Sequence, residues 1–229
     1  MMTYLTNQPK NCGVVEIDKN NVVTNFFEKV ANPPTNIANA AIYVISPELF
    51  NKYDINTKSV DIKSGKTFSW GGRYNKDYSR RDTLFTELGV FKNFKPKLNE
   101  KFNNPILYLG NIQPELQFDV IKKIDKPHLI AADSMNLWID LFPDQVWSLI
   151  SKVDIFMLND EEAMQLTGKN NLEEISQDFL KRGPKIIIIK KGGDGSLVAY
   201  NNQISYVSVV PKTPVYDPTG AGDSFAGGV

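Results

Sequence analysis

The sequence predicts an α/β fold, in which a mainly parallel sheet carries helices on both of its faces. From about residue 105 onward, short apolar runs alternate with amphipathic stretches, which is the pattern of repeated strand and helix units. The runs themselves, such as KIIIIK at residues 185 to 190, are apolar almost throughout, as is typical of strands covered on both faces. A chain of 229 residues with 41% hydrophobic and 23% charged residues can bury such a sheet.

The strands and helices of this second half are assigned from the spacing of their hydrophobic residues. Strands are predicted at residues 106 to 110, 128 to 133, 154 to 159 and 185 to 190, and helices at 114 to 124, 143 to 153, 160 to 167 and 172 to 183. Gly168 and Gly183 are expected to end the last two helices. The segments SLVAY and QISYVSVV flank Asn201 and Asn202, which predicts an antiparallel hairpin.

The first half of the chain predicts β structure of a different kind. Two strand-like runs lie on either side of a polar turn at residues 18 to 21, and a further strand is expected at 38 to 45. Residues 51 to 66 are polar and have no hydrophobic period, so a boundary is placed there. Between residues 66 and 85, aromatic and polar residues alternate, which predicts exposed strands.

The composition excludes several classes of partner and site. Lys and Arg together number 26, as do Asp and Glu, so no electrostatic attraction to nucleic acid or to a membrane surface is expected, and a small molecule fits better. The single cysteine, Cys12, and the single histidine, His128, give neither a disulfide nor a zinc site. A reducing, cytoplasmic setting is expected from this use of cysteine. No signal peptide and no apolar run of about 20 residues is found, so a soluble protein is expected.

A candidate site is expected where the parallel strands end, because ligands of such sheets bind beyond the carboxyl ends of the strands. Asp133, Asn159 and Lys190 end three of the predicted strands, and the segment after Val215 follows the hairpin. For the residues from Asp133 to Asn136, a capping role is favoured over a catalytic one.

The segment after Val215 holds the most specific pattern, DPTGAGD, at residues 217 to 223. It reads as a glycine turn after a strand and before a helix, so the backbone amides of Gly220, Ala221 and Gly222 are expected at a helix N-terminus, where they bind anions. Asp223 beside such amides is placed to take a proton from a hydroxyl that attacks a phosphoryl group. The alternative is a helix start whose glycines only make a tight turn.

Residues 217 to 228, DPTGAGDSFAGG, resemble the second signature of the PfkB, or ribokinase-like, family of carbohydrate and nucleoside kinases. The resemblance extends over roughly residues 59 to 229 and implies a ribokinase-like fold. It implies that Asp223 is the catalytic base and that the amides before it hold the transferring phosphate. Asp217 and Thr219 match positions where some members hold a monovalent cation such as K⁺.

Two further segments resemble parts of the same family. Asn159 and Glu162 fit its N-x-x-E motif, which implies an indirect role in Mg²⁺ and phosphate binding; without the family, they read as a helix cap and a first-turn acid. KKGGDGSL, at residues 190 to 197, resembles the segment that lines the nucleotide, which implies that Lys190, Gly192 and Gly195 contact ATP. A plain hairpin turn is the alternative.

The aromatic segment KTFSWGGRY, at residues 66 to 74, resembles the lid strands of bacterial family members. A homodimer through these lid-like strands is expected from that resemblance. The alternative is that the aromatic residues only pack at the edge of a sheet.

Residues 1 to 56 resemble a fragment of a sugar-phosphate nucleotidyltransferase. Glu28 and Lys29 match a Glu-Lys pair that borders the sugar phosphate there, and residues 39 to 43 match a nearby strand, although Ala41 and Val30 stand where glycine and proline are usual. The glycine-rich nucleotide loop of that family is missing, and a strand pair with a charged turn is the preferred alternative. Two domains are expected, a nucleotidyltransferase-like fragment at 1 to 56 and a kinase core at 57 to 229.

The expected activity is ATP- and Mg²⁺-dependent phosphoryl transfer to a hydroxyl of a sugar or nucleoside. The kinase core is expected to be truncated, because the sugar-binding start of the family and the helices after its GAGD motif have no counterpart in the chain. Two alternatives stay open: nucleotidyltransferase activity of residues 1 to 56, and a non-catalytic remnant that binds nucleotide.

Overall fold

The computed structural model describes residues 3–11, 13–20, 22–28, 32–39, 52–54, 56, 58–74, 81–99, 101–209 and 220–229. The chain divides into two compact units, and each is described by itself. The first comprises Met1–Val60 and Thr213–Gly222, and the second Asp61–Lys212 and Asp223–Val229. The assignment of residues 1 to 56 as a nucleotidyltransferase-like domain stays a prediction.

The first unit contains an antiparallel sheet with the strand order β1-β4-β2-β3. Its strands are β1 Thr3–Leu5, β2 Gly13–Ile17, β3 Val23–Glu28 and β4 Ile37–Asn39. Asp18 closes the turn between β2 and β3, because its Oδ1 accepts the backbone N–H groups of Asn20 and Val22. The predicted strand pair around this turn is confirmed, whereas residues 40 to 45 and Lys29 lie outside the described residues.

Two strands in the second unit, β5 Ser69–Tyr74 and β6 Arg81–Glu87, pair as a two-stranded antiparallel sheet. They overlap the segment predicted as exposed strands, and Leu84 and Phe85 are exposed. A Cβ atom on Gly71 would lie 2.3 Å from the ring of Phe85, so only glycine fits opposite that ring.

The main sheet has six strands, which lie side by side in the order in which they follow along the chain. They are β7 Ile106–Leu109, β8 Leu129–Asp133, β9 Ile155–Asn159, β10 Ile186–Lys190, β11 Ser196–Tyr200 and β12 Gln203–Val207. Strands β7 to β10 are parallel, and β11 and β12 continue the sheet as an antiparallel hairpin. Asn201 and Asn202 have φ of 48° and 59° in its two-residue turn, which confirms the predicted hairpin.

The helices around the main sheet follow the strands as predicted, with one addition. They are α1 Pro114–Lys123, α2 Asn136–Leu141, α3 Pro143–Ile150, α4 Asp160–Thr167, α5 Leu172–Leu180 and α6 Ala221–Gly228. The short helix α2 was not predicted, and α3 and α5 end three residues before their predicted ends. Gly168 ends α4 with φ of 69°, as expected.

Helices cover the two faces of the main sheet unequally. Right-handed crossovers between strands that are neighbours in sequence and in space put their helices on one face. Helices α1 to α5 form the large core with that face, in which Phe156, Phe179 and Ile187 are fully buried. On the other face, Phe225 and Ala226 of α6 pack on Met157 and on β10. The predicted mainly parallel sheet with helices on both faces is confirmed.

Among the residues that the structure describes, no helix combines the length and apolarity needed to cross a membrane.

Candidate active site

Three polar side chains end neighbouring strands of the main sheet, as the sequence predicted. Asp133, Asn159 and Lys190 are the last residues of β8, β9 and β10. Lys190 lies opposite Asn159, and Asp133 lies opposite Met157, two residues before Asn159. Because side chains alternate between faces along a strand, all three point to the face on which α6 packs.

A buried ion pair joins two of these residues. The Nζ atom of Lys190 lies 3.2 Å from Oδ2 of Asp133, and their side chains are only 17% and 9% exposed. The backbone amide of Ser134 and the hydroxyl of Tyr108 also lie close enough to the Asp133 carboxylate to interact with it electrostatically. Burial raises the pKa of Asp133 and the charge of Asp223 adds to the rise, whereas Lys190 opposes it.

Asp133 therefore pairs with a lysine and caps no helix. Helix α2 has Met135 as its N-cap residue, without a side-chain capping bond. The capping role favoured for this segment from the sequence is wrong for Asp133. The sequence did not predict this ion pair because Lys190 lies 57 residues from Asp133 along the chain. Only the register of the strands brings the two side chains together.

Tyr108 is a member of this cluster that the sequence analysis missed. It lies in β7 opposite Ala131, and burial, followed by the charges of Asp133 and Asp223, raises the pKa of its hydroxyl to about 12. Asp223 lies close enough to Tyr108 of β7 and Asp133 of β8 to interact with both electrostatically. Strand alternation was the available signal, since it places Tyr108 on the opposite face from Leu109.

Gln117 of α1 is a second residue that sequence reasoning missed, and it holds two strand ends together. Its side chain is fully buried, and Nε2 donates to the carbonyl oxygens of Leu109, Gly110 and Asp133 at 3.0 to 3.2 Å. The two N–H bonds of this amide are shared among three carbonyl oxygens at the strand ends. Gln117 thereby fixes the backbone of Asp133, whose side chain faces Lys190.

Asn159 and Glu162 form a capping box at the start of α4. Oδ1 of Asn159 accepts the N–H of Glu162, and Oε2 of Glu162 accepts the N–H of Asn159, both at 2.8 Å. The backbone amide of Asn136, the first residue of α2, also interacts electrostatically with the Glu162 carboxylate. The capping interpretation is confirmed, and the role in Mg²⁺ binding stays a prediction.

Glu162 is 7% exposed, and this burial raises its pKa to about 7. The amide of Asn159 and the ammonium of Lys190 act in the opposite direction, while Asp133 adds to the rise. Asp133, Glu162 and Lys190 therefore form one interacting set of charges at the ends of the strands.

The glycines between β10 and β11 have different structural roles. Gly192 has φ of 55°, and a Cβ atom there would meet nothing within 4 Å. Gly195 has φ of 86°, and a Cβ atom there would lie 2.0 Å from the carbonyl oxygen of Val207. The packing of the hairpin alone therefore requires glycine at position 195, and nucleotide contacts of Lys190, Gly192 and Gly195 stay a prediction.

Helix α6 begins directly after the glycine turn, as predicted. Gly220 has φ of 76°, and Ala221, Gly222 and Asp223 form the first turn of the helix. Asp223 is exposed. The role of the three amides as an anion hole stays a prediction. Asp217 and Thr219 lie outside the described residues.

Comparison with known families decides the assignment. The pfkB family carbohydrate kinase model matches residues 48–229. The chain belongs to this family. A nucleotidyl transferase model matches residues 1–70, so both resemblances seen in the sequence are confirmed.

Relatives of this pfkB family chain include a cytidine kinase from Thermococcus kodakarensis, 26% identical over 181 residues, which cover 76% of the chain and 64% of that protein. The solved nucleoside kinase from Methanocaldococcus jannaschii has a TM-score of 0.59 at 24% identity, over 79% of this chain and 59% of that one. A fructokinase double mutant from Vibrio cholerae, solved with fructose, ADP and potassium ion, has a TM-score of 0.56 at 18% identity, over 79% and 63%. These structures show the ribokinase-like fold, and the chain spans less than two thirds of each relative.

Proposed function

We propose that the chain carries the phosphoryl-transfer site of an ATP-dependent kinase that acts on a hydroxyl of a sugar or nucleoside. The observation that supports this most strongly is the position of Asp223. It follows the glycine turn in the first turn of α6, and it acts electrostatically on Asp133 and Tyr108 at the carboxyl ends of the parallel strands. Membership of the pfkB family and the cytidine kinase relative favour the same chemistry.

In the proposed step, the acceptor hydroxyl attacks the γ-phosphorus of ATP and Asp223 takes its proton. A new O–P bond forms as the bond to the β,γ-bridging oxygen breaks, and ADP leaves with that bonding pair. The amides of Gly220, Ala221 and Gly222, at the positive end of the helix dipole, are proposed to stabilise the charge of the transferring group. Most of the catalysis is then positioning and electrostatics, as in other phosphoryl transfers.

Magnesium is proposed to enter with the nucleotide. Mg²⁺ is usually held by one or two carboxylates together with water and phosphate oxygens. The Glu162 carboxylate accepts the backbone N–H of Asn159 and keeps lone pairs beyond this bond, which suits an indirect role through water. The described residues contain no group of three or more metal-binding side chains that by itself holds an ion. A K⁺ site at Asp217 and Thr219 is part of the proposal.

The test is ATP turnover with a panel of pentoses, hexoses and nucleosides, in the wild type and in Asp223→Asn. Loss of a general base is expected to lower kcat by about 10²- to 10⁴-fold. Asp125→Asn, a replacement of another exposed aspartate, is the matched control and should keep the wild-type rate. Equal rates in the wild type and Asp223→Asn would remove Asp223 from the mechanism.

A second candidate function is favoured by the match of residues 1–70 to the nucleotidyl transferase model. Release of pyrophosphate from a nucleoside triphosphate and a sugar 1-phosphate would support it. Binding of ATP and Mg²⁺ by calorimetry without any turnover would instead support a nucleotide-binding remnant. The cytoplasmic setting and the homodimer through the lid-like strands also stay predictions.

A further inference from the structure

The ion pair between Lys190 and Asp133 spans a neighbouring strand. Strand β9 lies between β8 and β10, and adjacent strands are about 4.8 Å apart, so the two backbones are separated by roughly 10 Å. The Lys190 side chain therefore extends across the end of β9 to reach Oδ2 of Asp133. A lysine stem held in this way has given up much of the rotamer freedom that a free lysine has.

Asp133 is a rigid anchor for that lysine. Its carboxylate accepts a hydrogen bond from the Lys190 ammonium, and the Tyr108 hydroxyl lies close enough to interact with it electrostatically. Nε2 of Gln117 donates to the backbone carbonyl oxygen of Asp133 at 3.0 Å. Both the backbone and the side chain of this residue are thereby fixed.

Lys190 keeps binding capacity beyond this pair. An ammonium group has three N–H bonds, and over the described ranges Asp133 is the only hydrogen-bond acceptor found for it. Its side chain is 17% exposed, so it can be reached from solvent. It lies at the ends of the strands in the same charge cluster as Asp133, on which Asp223 also acts.

We propose that Asp133 is a positioning residue for phosphoryl transfer, which holds the Lys190 ammonium at the strand ends so that its remaining N–H bonds bind the terminal phosphate of ATP. This inference rests on the proposed kinase function. The phosphate meets Lys190 as a point charge, and Asp133 acts only through that lysine. The Tyr108 hydroxyl, which interacts electrostatically with Asp133, is proposed to support this position of the carboxylate.

The experiment is a double-mutant cycle with Lys190→Met, Asp133→Asn and the double variant, measured as kcat and KM for ATP. Met keeps the length of the stem and Asn keeps the shape of the carboxylate. We expect Lys190→Met to lower kcat/KM by about 10²-fold, the effect of losing a positioned contact, and Asp133→Asn by about tenfold or more. The double variant should be no worse than Lys190→Met alone, because Asp133 has no role without the lysine.

Lys191→Met is the matched control, because this neighbouring lysine lies over the ring of Tyr206 and outside the cluster. Tyr108→Phe is a milder probe, expected to fold even if Asp133→Asn does not, since Tyr108 is 44% exposed. It should lower kcat/KM about threefold in the wild type and have no effect in Lys190→Met. The proposal would be overturned if the fold reductions in kcat/KM of the two single variants multiplied in either double variant. A purely structural residue would lower kcat/KM by the same factor in the wild type and in Lys190→Met.

Calorimetric binding of ATP with Mg²⁺ separates this inference from the proposed function. If the wild type phosphorylates no acceptor, the kinase proposal fails, and the binding data still test the pair. The positioning role is supported if Lys190→Met and Asp133→Asn each bind ATP more weakly and the losses of binding free energy do not add in the double variant. Equal ATP affinity in all four proteins, together with unchanged kcat, refutes it.

Discussion

Replacing Glu162 with glutamine is expected to change how stability depends on pH. Burial raises the pKa of this carboxyl from 4.5 to about 7 in the folded protein. The folded state therefore favours the protonated form, so the stabilisation is fully present below pH 4.5 and is lost as the pH rises through about 7. At about 1.4 kcal/mol for each pKa unit, the free energy of unfolding falls by about 3 kcal/mol across this interval.

The glutamine variant isolates this contribution, because glutamine does not titrate. A protonated glutamate and a glutamine both present an acceptor oxygen to the amide of Asn159. At pH 4 the two proteins should have similar stability. Between pH 4 and pH 8 the wild type should lose about 3 kcal/mol relative to Glu162→Gln, while titrating groups that do not interact with Glu162 cancel in the difference.

Urea unfolding followed by tryptophan fluorescence at constant ionic strength measures this difference, since Trp138 and Trp147 belong to the main core. Glu161→Gln is the control, because Glu161 is exposed in the same helical turn. The change of about 3 kcal/mol should be absent from the difference between this control variant and the wild type. A constant difference for Glu162→Gln over the same range would refute the reasoning, because the hydrogen bond from Asn159 and the charge of Lys190 would then compensate fully for the burial of the charge.

Three other substitutions test the fold by thermal or urea unfolding. Gly195→Ala should destabilise the protein by more than about 1 kcal/mol, because its Cβ would lie 2.0 Å from the carbonyl oxygen of Val207 at a φ of 86°, whereas Gly193→Ala, with open space around it, should have little effect. Asn171→Ala should cost about 1 kcal/mol, since its Oδ1 accepts two first-turn amides of α5. Phe179→Ala should cost about 3 to 5 kcal/mol, because the ring is fully buried; a cost below 1 kcal/mol would contradict its place in the core.

The regular elements of the second half were predictable because local patterns determine them. The apolar runs became β7 to β10, and Gly168 took the left-handed conformation that ends a helix. Helix α2 was missed because six residues hold too short a period to stand out, and tertiary burial of Trp138 and Ile139 stabilises it. The unequal cover of the two faces follows from the order of the strands, which no local pattern contains.

The candidate site was predicted in its location and only partly in its members. The carboxyl ends of the strands pointed to Asp133 and Lys190, but their contact depends on the order and register of three strands. Gln117 lies inside a helix with no motif around it, and its three carbonyl contacts exist only in the folded chain. Residues of this kind cannot be predicted from spacing, because their partners belong to other elements.

Two residues of the family motifs also stabilise the fold. Substitutions at these positions therefore cannot test the chemistry alone. Glu162 caps the start of α4, and Gly195 allows the close approach of Val207. Activity lost on changing Gly195 would follow equally from a damaged fold, and a change at Glu162 alters the helix cap together with the charge of the site. Asp223 is exposed, so its replacement by asparagine should leave the free energy of unfolding within about 0.5 kcal/mol of the wild type. A loss of turnover without a loss of stability is therefore interpretable at Asp223, and there it assigns the residue to the reaction itself.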